Sequence, residues 1–276
     1  MVLLNGMQPA VIHVDLDGAA EIYEMHGWRH EGADDPLFDS GLRHALDFFD
    51  AAGIRATLFV IGRQLDDPAK RELLQEAVRR GHEIASHTMT HRRLTSLGAD
   101  EQRRELFESR ERIGAALGVE ADGFRAPGFH IDRKALETIA EAGYRYDSSL
   151  FPNEGVPASP HRPLAGKSLV ELSMPGCAPL PFPFHPCFSL VLGMTYYGLA
   201  LRRFRAREVP LVFLFHLTDF ADSLPASRLK GWGSRFYTLS YLSGAHKRNR
   251  CLRMLNAVRQ SFHIVTTREF LETYKL

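Results

Sequence analysis

The chain has 276 residues, 45% of them hydrophobic and 24% charged, enough to bury one large core of enzyme size. Its 34 basic and 33 acidic residues leave a formal charge of +1, so nothing in the balance suggests nucleic acid or another polyanion as a partner. Cys177, Cys187 and Cys251 are odd in number and show no Cys-x-x-Cys spacing, and residues 1–6 lack the basic start and apolar run of a secretory signal; a cytoplasmic protein without a disulfide framework is expected.

Hydrophobic patterning predicts a strand over 11–16, then a loop over 19–40, a helix over 41–52 ended by Gly53, and a second strand over 56–61 stopped by Gly62. A helix over 69–80 with Gly81 behind it leads to a short strand over 83–86, and a longer helix over 100–117 ends at Gly118. A short strand over 123–125 precedes Ala126-Pro127-Gly128, Asp132 caps a helix running to 142, and residues 144–146 lead into Asp147-Ser148-Ser149. The stretch 157–210 offers no motif. Residues 211–215 form a nearly continuous apolar strand ending at His216, and 262–265 form a last strand before a terminal helix. No Gly/Ser linker divides the chain, so residues 1–276 read as one domain. Alternation on this scale implies a parallel sheet, closed into a (β/α) barrel of about seven or eight strands.

Chemistry collects at the predicted strand ends. Two imidazoles four apart, His87 and His91 in His87-Thr88-Met89-Thr90-His91, would share one side of a helical turn and converge on a cation. Asp15 and Asp17, two apart at the end of a strand, would face the same way, and a carboxylate is the usual third partner of two histidines. Each of these residues also has an ordinary account as a cap or turn residue. Position favours the joint account: Asp15, Asp17, His87, His91, Arg125, Asp147 and His216 all follow predicted strands, and in a parallel barrel those ends share the face on which active sites are built.

Asp15-Leu16-Asp17-Gly18, Ser86-His87-Thr88-Met89-Thr90-His91, Phe124-Arg125-Ala126-Pro127-Gly128, Tyr146-Asp147-Ser148 and Leu214-Phe215-His216, in that order, resemble the successive motifs of the polysaccharide deacetylase family, the NodB homology or carbohydrate esterase family 4 domain. The resemblance covers most of residues 10–270 and implies a distorted (β/α) barrel with one divalent metal, usually zinc, that hydrolyses an acyl amide of an amino sugar. It implies Asp17, His87 and His91 as metal ligands, Asp15 as base and Arg125 as the partner that keeps Asp15 charged. It further implies Gly128 N–H as an oxyanion donor, His216 as the acid for the leaving amine with Asp147 keeping it cationic, and Leu214 as the floor of an acyl pocket. In the commonest form of the first motif the two aspartates are adjacent. Here Leu16 separates them, as in a branch acting on smaller or lipid-linked substrates; were Leu16 to stand where the base belongs, the site would lack one.

The substrate expected is an acetylated or formylated amino sugar, a cytoplasmic lipid-linked or nucleotide-linked intermediate. Residues 188–201 are apolar and run into Arg202, Arg203, Arg205 and Arg207, a pattern that suits either an anionic membrane surface or a barrel helix with a solvated basic end. Trp28, Trp232, Tyr237 and Tyr241 are candidates for stacking on sugar rings or for packing. Two rival functions use the same scaffold: a cyclic amidase or imidase of small nitrogenous compounds, and a catalytically inactive sugar-binding member of the fold.

Overall fold

The structure, a computed structural model, describes residues 6–32, 34–152, 155–176 and 184–274. Strand β1 (Gln8–Asp15) is followed by helices α1 (Ala19–Met25) and α2 (Pro36–Ala52), β2 (Thr57–Val60) by α3 (Pro68–Arg79), β3 (Glu83–Ser86) by α4 (Ala99–Leu117), and β4 (Gly123–Phe124) by α5 (Arg133–Glu141). The remainder runs β5 (Tyr146–Asp147), β6 (Val170–Glu171), α6 (Pro186–Leu192), α7 (Met194–Arg205), β7 (Leu211–His216), α8 (Leu217–Phe220), α9 (Trp232–Tyr237), α10 (Gly244–Arg259), β8 (Phe262–Ile264) and α11 (Thr267–Thr273).

The strands pair in parallel in the order β6-β5-β4-β3-β2-β1-β7, with β8 added to β1. On β1, β2 pairs with His13, Val14 and Asp15 whereas β8 pairs with Gln8, Pro9 and Ala10, so the two share one edge, end to end. No pairing joins β6 to β7 among the described residues, so the sheet curls without closing: a distorted (β/α) barrel, as expected.

Strands that read as continuous apolar runs do so because both of their faces are covered. Val11, Phe59, Ala85, Tyr146, Leu172, Val212 and Leu214 form an inner layer, closed below by Phe270 of α11. Ile12, Val14, Leu58, Val60, Phe213 and Phe215 belong to the larger outer core beneath the helices. Side chains alternate along a strand, so His13 and Asp15 share the inner face with Val11, two residues apart in turn. Chemistry at the end of β1 is thereby aimed into the barrel mouth.

Capping sets the helix ends. Asp35, Asp67 and Asp132 accept hydrogen bonds from backbone N–H groups in the first turns of α2, α3 and α5, with Pro36 and Pro68 starting the first two, and Gly53 ends α2 in the left-handed region.

Three expectations need correction. The predicted loop over 19–40 contains α1 and the start of α2: Glu21 accepts from Gly18 N at 3.0 Å, and the Asp35-Pro36 pair is a helix start that hydrophobic periodicity does not register. Likewise residues 232–237, for which hydrophobic patterning predicted no element, form α9. The apolar stretch from 188 is broken at Gly193, whose φ of 88° ends α6, and α7 buries Tyr197, Ala200, Leu201 and Phe204 against the body while its arginine end faces solvent. That is the arrangement of a barrel helix with a basic end. Strand β6 escaped prediction because two residues carry no period.

Candidate active site

The residues named from sequence after β1, β3, β4 and β7 come together at the carboxyl ends of those strands. Asp17 Oδ1 lies 2.9 Å from His91 Nε2 and 3.6 Å from His87 Nε2. One ligand atom from each residue falls within 4.8 Å of the other two. His87 Nδ1 sits 2.8 Å from the Arg125 carbonyl oxygen. A carbonyl only accepts, so Nδ1 carries the proton and Nε2 presents its lone pair toward Asp17, the way a backbone oxygen usually orients a metal-binding imidazole. Asp17 Oδ1 and His91 Nε2 are buried without hydrogen-bond geometry to any described partner despite their proximity, the relation of two ligands of one cation. Burial works to raise the Asp17 carboxyl, but the charges of His91, His87 and His216 hold it below the ordinary range. These donors fit a divalent ion of the zinc type.

The histidine pentad is not the helical turn that its spacing suggested. Thr88 and His91 have φ values of 68° and 63°, in the left-handed region that side chains other than glycine rarely adopt. The strain is held from below by Glu105 of α4, whose carboxylate accepts from Met89 N and Thr90 N at 2.8 Å each and from the Thr90 hydroxyl. Thr88 Oγ1 closes the turn by accepting from His91 N at 3.0 Å. Convergence of the two imidazoles is therefore a property of a clamped loop.

Asp15 is the register partner of His216 across the β1–β7 pair, and its Oδ2 lies 3.9 Å from His216 Nε2. Its other oxygen accepts from Arg125 Nη1 at 2.7 Å. Arg125 is wholly buried, with its guanidinium 4.1 Å above the Phe59 ring, and donates to Ser148 O, Ser148 Oγ and His13 Nδ1. Because Arg125 can only donate, His13 Nδ1 accepts and its Nε2–H is left for Thr267 Oγ1, 3.0 Å away. Burial, then the neighbouring guanidinium, holds the His13 imidazole well below its ordinary value, which keeps it neutral.

Asp147 is not where the resemblance would have it. Tyr146 belongs to the inner layer and Ser148 reaches Arg125, so by alternation Asp147 faces away from the barrel mouth. Its Oδ1 accepts from Ser149 Oγ at 2.7 Å, its register partner is Glu171, and Oδ2 and Glu171 Oε2 both lack a hydrogen-bond donor among the described residues. His216 Nδ1 likewise has no described partner; the carboxylate beside this residue is Asp219, which accepts from His216 N at 2.9 Å. Burial pushes Asp219 up to about 6.

Gly128 adopts φ 61° in the turn after β4, and Leu214 is fully buried in the inner layer two residues below His216. Sequence reasoning missed His13, Ser148, Glu171 and His185. The last, in the stretch without motifs, is buried with its ring 6.4 Å from that of His216 and near Phe151 and Phe129. Trp28 and Tyr237 pack with His26, with ring centroids 4.8 and 3.9 Å from it, so they form a wall.

A curled parallel barrel with an Asp-His-His cluster beside a buried Arg–Asp pair defines an α/β barrel with a candidate hydrolytic metal centre. Residues 33–146 match the family described as polysaccharide deacetylase. The chain is 27% identical over 154 residues to the peptidoglycan deacetylase of Helicobacter pylori, covering 52% of this chain and 50% of that protein. It is 35% identical over 134 residues to the chitooligosaccharide deacetylase of Rhizobium leguminosarum bv. phaseoli, covering 45% and 58% respectively. Matched segments span 20% to 58% of the length of such curated relatives. A Mycobacterium smegmatis crystal structure ascribed to the polysaccharide deacetylases shares the fold, with a TM-score of 0.65 at 20% identity over 99% of this chain and 92% of that one. Over residues 33–146 the chain carries the sequence pattern of the polysaccharide deacetylase family.

Proposed function

We propose that this protein is a metal-dependent amide hydrolase that removes a small acyl group, acetyl or formyl, from an amino sugar carried on a lipid or nucleotide. The observation that carries the reading is the meeting, in one barrel mouth, of the Asp17–His87–His91 cluster with Asp15, whose free oxygen faces His216. Bound by that cluster, a divalent ion, zinc for this donor set, supplies Lewis acidity and lowers the pKa of water. Asp15, oriented by Arg125, takes a proton from the attacking water through its second oxygen. His216, across the strand pair, donates a proton to the leaving nitrogen, and the Gly128 N–H serves as an oxyanion donor. Leu214, buried in the inner layer two residues before His216, forms the floor of the acyl pocket in this reading.

The separated aspartates of Asp15-Leu16-Asp17 support membership of the branch handling small or lipid-linked substrates. Leu16 packs into the outer core beneath the helices, whereas Asp15 lies beside Arg125 and His216, so Asp15 takes the base position. The same reading puts the protein in the cytoplasm, at the inner face of the membrane; free Cys187 and Cys251 support a reducing compartment. Exposed Arg202, Arg203 and Arg205 support peripheral contact with anionic lipid, which co-sedimentation with anionic vesicles tests.

Metal analysis and acyl release test the site together. Purified wild type should carry about one equivalent of metal that His87→Ala loses, and Asp15→Asn should keep its metal and lose most acetate or formate release from acylated amino-sugar glycosides. Equal metal in wild type and His87→Ala sinks the cluster; full activity in Asp15→Asn sinks the base. Turnover of cyclic imides in place of acylamino sugars would instead favour the cyclic amidase.

A further inference from the structure

A cleft of about 430 Å³ opens from the site between α1, α6 and α9. Asp17 and His216 stand at its inner end, and Ile22, Met25, Phe188, Val191, Leu192 and Phe236 supply most of its wall. Among the described residues no Lys or Arg lines it, so it offers a phosphate no countercharge. Of the seven large hydrophobic side chains exposed among the described residues, five, Val191, Leu192, Trp232, Phe236 and Tyr237, lie on α6 and α9. Apolar surface concentrated on two facing short helices, beside a reactive centre and not scattered over the molecule, marks a surface covered in use.

We infer that this cleft holds the hydrocarbon chain of a lipid-linked amino sugar, and that the chain hangs from the sugar, not from the acyl group. The inference rests on the amide-hydrolase reading and narrows it from lipid or nucleotide carriers to lipid. Two observations set the side. His216, the proton donor to the leaving nitrogen, lines the cleft, so the cleft serves the amine half of the substrate. On the side that the proposed function gives to the acyl group, Leu214, Tyr146 and Met174 are all buried in the inner layer, so the described residues there are packed together. A hydrocarbon seated between α6 and α9 removes from water the apolar surface these helices expose.

Binding and hydrolysis separate this inference from the reading beneath it. Calorimetry on zinc-loaded Asp15→Asn protein, which cannot turn over, compares dodecyl and methyl glycosides of N-acetylglucosamine below the micelle concentration, and the methyl glycoside of N-dodecanoylglucosamine. The dodecyl glycoside should bind at least about 30-fold more tightly than the methyl glycoside, a fraction of what burying several methylenes can yield. Val191→Asp and, independently, Phe236→Asp should abolish that preference. Both positions are partly exposed, so an acidic side chain there is compatible with folding. Equal binding of dodecyl and methyl glycosides overturns the inference, as does a preference that survives both substitutions. A gain confined to the N-dodecanoyl compound puts the chain on the acyl side and overturns it too. Acetate release by wild type from the methyl glycoside reports on the hydrolase reading alone: release without chain preference removes the cleft, and chain preference without release removes the reaction.

Discussion

Arg125 Nη1 and Asp15 Oδ1, from residues 110 positions apart, meet at 2.7 Å with both side chains out of solvent. The guanidinium also spans Ser148 on β5's continuation and His13 on β1, and His13 passes the chain of hydrogen bonds to Thr267 at the start of α11. A proposed base at the barrel mouth is thus tied through the barrel interior to the last helix. An ion pair buried this deeply adds little by itself, because desolvation offsets attraction, but removing one partner strands the other.

Arg125→Met should therefore destabilise the fold by about 3–5 kcal/mol, most of it from the uncompensated Asp15. Urea denaturation at pH 7 measures it. Adding Asp15→Leu to that variant should recover a large part of the loss, since the stranded charge goes with it; a double variant no more stable than Arg125→Met would show that packing of the guanidinium over Phe59 matters more than charge.

At Gly18 the reason for glycine is steric. A Cβ there would clash with Asp35 Oδ2, and that carboxylate is fixed by Lys70 Nζ at 3.0 Å and by Ala19 N. Gly18→Ala is expected to cost about 1–3 kcal/mol through forced displacement of a buried pair. Because Asp17 is its neighbour, the same variant should bind zinc more weakly than wild type in a chelator competition. Unchanged stability would mean that Asp35 moves aside freely.

Much of the site could be read from the chain because its residues follow apolar runs that only a strand explains. Asp15, His87, Arg125 and His216 each end such a run, and a parallel sheet brings those ends together whatever the details of closure. What could not be read depends on contacts between distant segments. His13 looks like one polar residue inside a strand until Arg125 and Thr267 are placed on either side of it. Asp147 sits at a strand end like the others, but strand alternation between Tyr146 and Ser148 turns it outward, and Glu171, on a strand of two residues, leaves no periodic trace. The pentad's spacing suggested a helical turn, whereas Glu105 and two left-handed residues produce the same convergence differently.

Glu105 acts on the metal ligands only through the loop that carries them. Its carboxylate takes two backbone N–H groups on one oxygen and the Thr90 hydroxyl on the other; a carboxamide could accept the first two and donate to the hydroxyl, but without the negative charge that makes these hydrogen bonds strong. Glu105→Gln should weaken zinc binding by roughly 10–100-fold, the usual effect of losing support behind a ligand, with the zinc stoichiometry at saturation still one. Competition against a chromophoric chelator reads the affinity directly. Loss of stoichiometry would point to general misfolding, and unchanged affinity would show that the pentad holds its strained shape unaided.

The outward-facing pair Asp147 and Glu171 makes stability depend on pH in a direction opposite to that of most carboxylates. Burial, and then the charge of Asp147, pushes Glu171 well above its ordinary value, and burial raises Asp147 as well. Two buried carboxyl groups with facing oxygens that lack other donors are satisfied when one proton lies between them. The folded state then holds a proton that the unfolded chain gives up above about pH 4.5. Between that point and the raised folded value the native state binds more protons, so stability falls as pH rises, by about 1.4 kcal/mol per pH unit for one proton. Glu171→Gln imitates the protonated form: its oxygen still accepts from Ser149 N and Leu150 N, and its amide can donate to Asp147. The variant should match wild type near pH 5 and exceed it near pH 8, with the pH-dependent loss in urea midpoint largely gone. A variant less stable than wild type at pH 8 would mean that the pair is ionised in the native state and that no proton is shared.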